Sequence, residues 1–174
     1  KSLEISKKFE KKYKNRFKFE NIKFSEINRI KTNKNILKGI IFDLGYSTAQ
    51  IKDPEKGLSF LSKGKLNMRM GLNEFSANEI VNDFDQSSLS KIFYSFGDEK
   101  KANNIARKII NFRRSKNIET QDLVKIIDSV HKKKFKKIHN STKVFQALRI
   151  FVNKEISELI DSLISSFKLL PKGG

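Results

Sequence analysis

Cysteine is absent from the 174 residues, and only two prolines interrupt them. Without thiols there can be no disulfide, no cysteine-ligated zinc and no thiol nucleophile, although the redox compartment is left open. No apolar run approaches the roughly 20 residues of a spanning helix. The lysine-studded start also lacks the apolar stretch and small-residue cleavage site of a secretory leader. The cytoplasm is the expected compartment, with no membrane partner. Glycine is sparse at 8 residues while Phe reaches 15, and 37% of the chain is hydrophobic, which excludes collagen-like and disordered classes and predicts a folded core.

Positive charge is in excess. Lys plus Arg is 37 against 19 Asp plus Glu, a net charge of +18, a balance that commonly accompanies a polyanion. Only 7 of the 37 are Arg, leaving 30 Lys, so drift of lysine into tolerant surface positions in an AT-rich genome is the alternative source of the charge.

Apolar spacing sets the expected elements. Leu3, Ile5, Phe9 and Tyr13 read as one stripe of a surface helix. Residues 16–20 alternate with period two, a short strand, and 22–30 read as a connector with a short helix. Residues 36–42 are mostly apolar and β-branched and are expected as a strand buried on both faces of a parallel sheet, ending at Asp43-Leu44-Gly45. The stretch 46–66 is too long for an ordinary connection and reads as a functional loop. Ser76-Ala77-Asn78-Glu79 is a capping box opening a helix to Phe84. Further helices are expected over 87–96, 98–114 and 120–130. A basic connector follows at 132–137, and then one long amphipathic helix over 144–170, closed by Pro171 and a Gly pair.

Strands joined by helical crossovers point to an α/β fold. Two strands cannot bury both faces of such a sheet, and the chain opens in mid-helix and ends on a turn, so an interior piece of a longer protein is expected. In open parallel sheets ligands sit beyond the carboxyl ends of the strands, which puts Asp43 at a candidate site; an Asp that merely caps a loop is the plain alternative.

Several segments carry a resemblance. Residues 39–50 (GIIFDLGYSTAQ), 53–60 (DPEKGLSF) and 66–70 (LNMRM) resemble the ILxDLGVSSPQ, DxxRGFSF and LDMRM elements of the bacterial 16S ribosomal RNA cytosine-N4 methyltransferase family (RsmH, or MraW). Phe96-Gly97-Asp98-Glu99-Lys100 with Ala102 and residues 105–109, and then residues 139–153 (HNSTKVFQALRIFVN), resemble its YGEE-FA-RIAR-I and HPATRTFQALRIxVN segments. The resemblance implies a partial Rossmann-like class I methyltransferase sheet (1–65 and 141–174) with an inserted all-helical substrate-recognition domain (66–140). It implies S-adenosylmethionine as cofactor, held by Phe24, Asp43 and Gln50. It also implies 16S ribosomal RNA or the small ribosomal subunit as partner; a homodimer is left open.

The family's Gly-rich cofactor loop, its acidic residue after the second strand and its later strands have no counterpart here, so little activity is expected of the 174 residues alone. By analogy with other amino-methyltransferases, Asp43 or Ser47 is the candidate catalytic acceptor for the cytosine amine. Arg69, Arg107, Lys108, Lys133, Lys134, His139, Lys143 and Arg149 are the candidate RNA contacts. The chain departs from the family pattern at Asn67, Asn140 and Lys143, which stand for Asp, Pro and Arg. A non-catalytic basic RNA-binding module and a pseudoenzyme are the competing readings.

Overall fold

The computed structural model describes residues 2–32, 37–47, 50–51, 53–71, 73–131 and 138–173. They pack as two units, Lys1–Asp43 with Ile156–Gly174, and Leu44–Glu155.

The second unit is a helical cluster. Its first helix, α2 (Ala77–Asp83), opens at the capping box expected from the sequence: the Glu79 amide donates to Ser76 Oγ at 3.3 Å and the Ser76 amide to Glu79 Oε2 at 2.7 Å. Asp85 caps α3 (Gln86–Gly97) by accepting from the Ser88 amide at 2.9 Å. Next come α4 (Ala102–Phe112), α5 (Thr120–Val130) and α6 (Thr142–Val152). Along α4, Ala102, Ile105, Ala106 and Ile109 are buried at helical spacing, while Arg107 and Lys108 face solvent. Helix α3 packs against both α4 and α6, and α4 against α5. The approach of α3 to α6 needs a missing side chain, since a Cβ on Gly97 would lie 2.4 Å from the Lys143 carbonyl oxygen.

Every residue of the buried hydrophobic cluster lies between Leu66 and Val152. Burying one such side chain contributes about 1.5–3 kcal/mol, so this unit holds most of the chain's stability.

The first unit comprises α1 (Ser2–Lys12), a 3-10 turn (Phe24–Arg29), an extended segment through residues 37–43 and the body of α7 (Glu155–Leu169). Phe9 stacks on Tyr13 with ring centroids 5.8 Å apart, and Glu10 accepts from the Phe19 amide at 3.2 Å. Burial pushes the Glu158 carboxyl upward, but hydrogen bonds from Ser25 and the Lys23 ammonium outweigh it and hold the group below its ordinary value.

The α/β expectation fails here. Among the described residues there is no strand: 16–20 and 37–42 are irregular, and Ile41, expected at the centre of a buried strand, is 96% exposed. A strand exists only through ladder partners, and these two segments do not pair, so their alternation and β-branching have nothing to act upon. The Rossmann-like sheet is therefore not formed by these residues.

Two helix boundaries also differ. The helix expected from Asp98 starts at Ala102, because Asp98 takes a left-handed conformation (φ 48°) and the Glu99 carboxylate accepts from the Lys101 amide at 2.8 Å. The long helix expected over 144–170 is two helices. Lys154 turns left-handed (φ 51°), and the Asn153 side chain bonds back to the Arg149 carbonyl at 2.9 Å, closing α6.

Along α7 the buried positions include Ser162 and Ser166, while Ile160, Leu163, Ile164 and Phe167 are half or more exposed. The serine hydroxyls bond to the helix's own Glu158 and Ser162 carbonyls.

Candidate functional site

The residues that carry the family-like segments fall on loops before α2, on the end of α3, along α4 and along α6. In the loop after residue 43, the Ser47 amide donates to Gln50 Oε1 at 2.8 Å and the Gln50 amide to Ser47 Oγ at 3.3 Å. This reciprocal pair is a capping box of the S-x-x-Q form, a signal present in the sequence and not used in the reading above. It brings two candidate residues together and spends part of each: Gln50 Oε1 and one lone pair of Ser47 Oγ are engaged locally.

Asp43 and Phe24 belong to the other unit. Asp43 is exposed. Phe24, 45% exposed, meets the ring of Phe42 edge-on with centroids 5.6 Å apart, which leaves ring surface open.

The loop 53–71 is held at several points. Asp53 accepts from the Glu55 amide at 3.0 Å, and the turn Pro54–Lys56 ends on Gly57 at φ 58°, where a Cβ would stand 2.1 Å from the Lys65 carbonyl oxygen. The Met68 amide donates to the Lys56 carbonyl, and the first amides of α2, Ala77 and Asn78, donate to the carbonyls of Asn67 and Leu66. Met68 itself is left-handed (φ 58°) with its side chain fully buried.

Asn153 holds this arrangement through every polar group of its amide. Its oxygen accepts from the Met70 amide and from Asn73 Nδ2, each at 2.8 Å; its Nδ2 donates to the Met68 and Arg149 carbonyls, each at 2.9 Å. The loop so fixed presents Arg69, whose Nε donates to Asn67 Oδ1 at 3.0 Å and whose carbonyl accepts from Lys56 Nζ at 3.1 Å. With Asn at position 67 the guanidinium is positioned by a neutral side chain.

One turn before Asn153, Arg149 engages Glu155 through two parallel bonds, Nε to Oε1 at 2.7 Å and Nη2 to Oε2 at 3.0 Å, while its guanidinium lies over Tyr46. Its fork is thus occupied within the protein. Tyr46 and Asn153 stand within the family-like segments without a role assigned to them, and Glu155 lies outside those segments, since an i, i+6 ion pair carries no distinctive local pattern.

The remaining cations are dispersed. Arg107 is exposed; Lys108 Nζ donates to Ser129 Oγ at 2.8 Å. Lys143 Nζ donates to the Asp98 carbonyl at 2.7 Å and carboxylate at 3.1 Å. His139 stacks on Phe60 with ring centroids 4.4 Å apart, and its Nδ1 accepts from the Ser141 amide at 3.2 Å. Lys133 and Lys134, expected to meet RNA, lie outside the described residues.

A methyltransferase class is the one these segments point to. The sequence model of the MraW methylase family matches residues 1–174. The chain is 38% identical to the ribosomal RNA small subunit methyltransferase H of Orientia tsutsugamushi (strain Ikeda) over 179 residues, covering 99% of this chain and 57% of that protein. The proteins of the same name from Maricaulis maris (strain MCS10) and Sinorhizobium fredii (strain NBRC 101917 / NGR234) are 41% and 46% identical over 158 and 140 residues, covering 89% and 79% of this chain and 47% and 41% of those proteins. The chain belongs to the MraW methylase family. It spans about half the length of the curated relatives it matches.

Proposed function

We propose that this chain acts within an S-adenosylmethionine-dependent methyltransferase that modifies the exocyclic N4 amine of a cytidine in 16S ribosomal RNA. The supporting observation is the family match along the whole chain of a strongly basic protein. The relatives' name, a small-subunit ribosomal RNA methyltransferase, supports an RNA substrate; the N4 position comes from the motif resemblance alone.

The residues assigned to the cofactor fit it in kind. Phe24 offers exposed ring surface for an adenine face, Asp43 an exposed carboxylate, and Gln50 an amide nitrogen with no hydrogen bond among the described residues. When bound, the cofactor supplies an electrophilic methyl group. The target nitrogen is a poor nucleophile because its lone pair is delocalised into the ring. An acceptor that orients the amine and tolerates its growing positive charge lowers the barrier. Asp43 suits this role better than Ser47, whose oxygen already accepts from the Gln50 amide at 3.3 Å.

The residues 66–140 are the part assigned to substrate recognition, with Arg69 the cation held most firmly on a loop. Reaching a base in structured RNA requires drawing it out of its stack, with flanking phosphates gripped by cations. Radiolabelled methyl transfer to 16S RNA by the full-length protein tests the reading. Asp43→Ala should abolish transfer while retaining RNA binding, and near-normal turnover would remove Asp43 from the site. A full-length protein that binds RNA but shows no heat of cofactor binding in calorimetry would support the pseudoenzyme instead.

A further inference from the structure

Apart from the loops above, the helical unit holds a cavity of about 340 Å³ lined by Glu99, Lys100, Lys101, His131, Ile138, His139, Asn140 and Lys143. We infer that this cavity is a subsite for one phosphodiester, with its attached nucleoside, of the RNA substrate. The inference rests on the RNA-methyltransferase reading and adds to it a place and a chemistry.

The rim is cationic. Lys101 Nζ donates to the Val130 carbonyl at 3.2 Å, which orients the ammonium without neutralising it. Lys143 is held by the Asp98 carbonyl and carboxylate, and Lys100 adds a third ammonium against the Glu99 and Asp98 carboxylates. Lys101 is also the residue that caps α4, and Lys143 lies in the first turn of α6, so the positive ends of two 11-residue helices begin at this lining.

Inside, the polar groups pair only in part: one oxygen of the Glu99 carboxylate accepts from the Lys101 amide at 2.8 Å. Glu99 is 3% exposed, and His131 Nε2 sits 3.3 Å from its Oε2. That nitrogen is buried and makes no hydrogen bond among the described residues, its contact being the Glu99 carboxylate. A buried polar atom left unpaired costs about 1–3 kcal/mol, and such atoms in a cavity wall are groups a polar ligand satisfies.

His139 completes the wall. Its Nδ1 accepts from the Ser141 amide at 3.2 Å, which fixes the ring in the wall. The ring already stacks on Phe60. An aromatic plane beside ammonium groups fits a base joined to a phosphate. The ammonium groups repel a metal ion, and the cavity has room for more than a bare anion.

The test uses the full-length protein and two probes. Cytidine 5′-monophosphate should shift the imidazole NMR signals of His131 and His139, and cytidine without its phosphate should not; no shift, or equal shifts from both, overturns the subsite. In methyl transfer to the small subunit, the double variant Lys101→Ala/Lys143→Ala should raise KM for RNA about tenfold with kcat retained. It should also flatten the dependence of log Kd on log salt by about one, for the single phosphate neutralised there, and Lys101→Arg/Lys143→Arg should restore both. An unchanged KM and salt slope in an active enzyme overturns the subsite and leaves the functional reading intact. A wild-type enzyme that neither binds nor methylates the RNA sinks the reading itself, and the subsite with it.

Discussion

The guanidinium of Arg149 lies 4.5 Å from the centroid of the Tyr46 ring while its two nitrogens grip Glu155. Arg149 looked like an RNA contact from its charge alone, but its planar face and its fork are spent on the protein, and they tie the loop bearing Ser47 and Gln50 to the end of α6. Arg149→Ala should therefore cost about 1–2 kcal/mol in urea unfolding, the scale of a partly exposed bidentate pair with a cation-aromatic contact. Arg149→Lys should recover little, since an ammonium lacks both the fork and the plane. Neither variant should alter the salt dependence of RNA binding. A slope flattened by one unit would return Arg149 to the RNA surface.

The Asn153 amide has no spare hydrogen-bonding capacity, and that makes it sensitive to the smallest change. Asn153→Asp is nearly isosteric, yet it turns a donor into a second acceptor facing the Met68 and Arg149 carbonyls. Two carbonyls lose their partner and meet negative charge, so the variant should be destabilised by about 2–4 kcal/mol, more than Asn153→Ala. In hydrogen exchange the Met70 amide should lose protection first. An Asp variant as stable as the wild type would mean that this loop is fixed by its backbone contacts alone.

The elements that the sequence made legible are those whose cause is local. The Ser76–Glu79 box, the buried stripe of α4 and α5's start after Glu119 all follow from spacing and caps. The strands failed for the opposite reason: residues 37–42 have strand composition, but pairing partners far along a chain are not written into the segment. The break at Asn153-Lys154 was hidden because apolar spacing continues through it. The motif segments were legible, whereas the Arg149–Tyr46 and Asn153–Met70 relationships join residues 103 and 83 positions apart and leave no local trace.

Acid should loosen the helical unit at two caps. Hydrogen bonds from the Ser76 hydroxyl and amide hold Glu79 below its ordinary value of 4.5, and the Ser88 amide and hydroxyl hold Asp85 below 3.8. A carboxyl whose folded value is depressed stabilises the fold above its unfolded value, and that contribution is lost as pH falls through the folded one. Far-UV circular dichroism under urea at pH 7 and pH 3 should show Glu79→Gln/Asp85→Asn losing less stability on acidification than the wild type. Equal losses would mean that the two caps contribute nothing pH-dependent.

The uneven distribution of core between the two units should be visible in their dynamics. All of the buried cluster lies within 66–152, while Ile41 and Phe167 are 96% and 86% exposed in the other unit. Opening free energies track buried apolar contact and protected backbone bonds, and residues 37–43 make no strand ladder. In native-state exchange of the 174-residue chain, the amides of α3, α4 and α6 should be protected to the level of global unfolding. Those of 37–43 should exchange at near-random-coil rates, with α1 and the body of α7 protected at least tenfold less than α4. Protection of 38–42 equal to that of α4 would mean that this segment is ordered by pairing, against the irregular backbone described above.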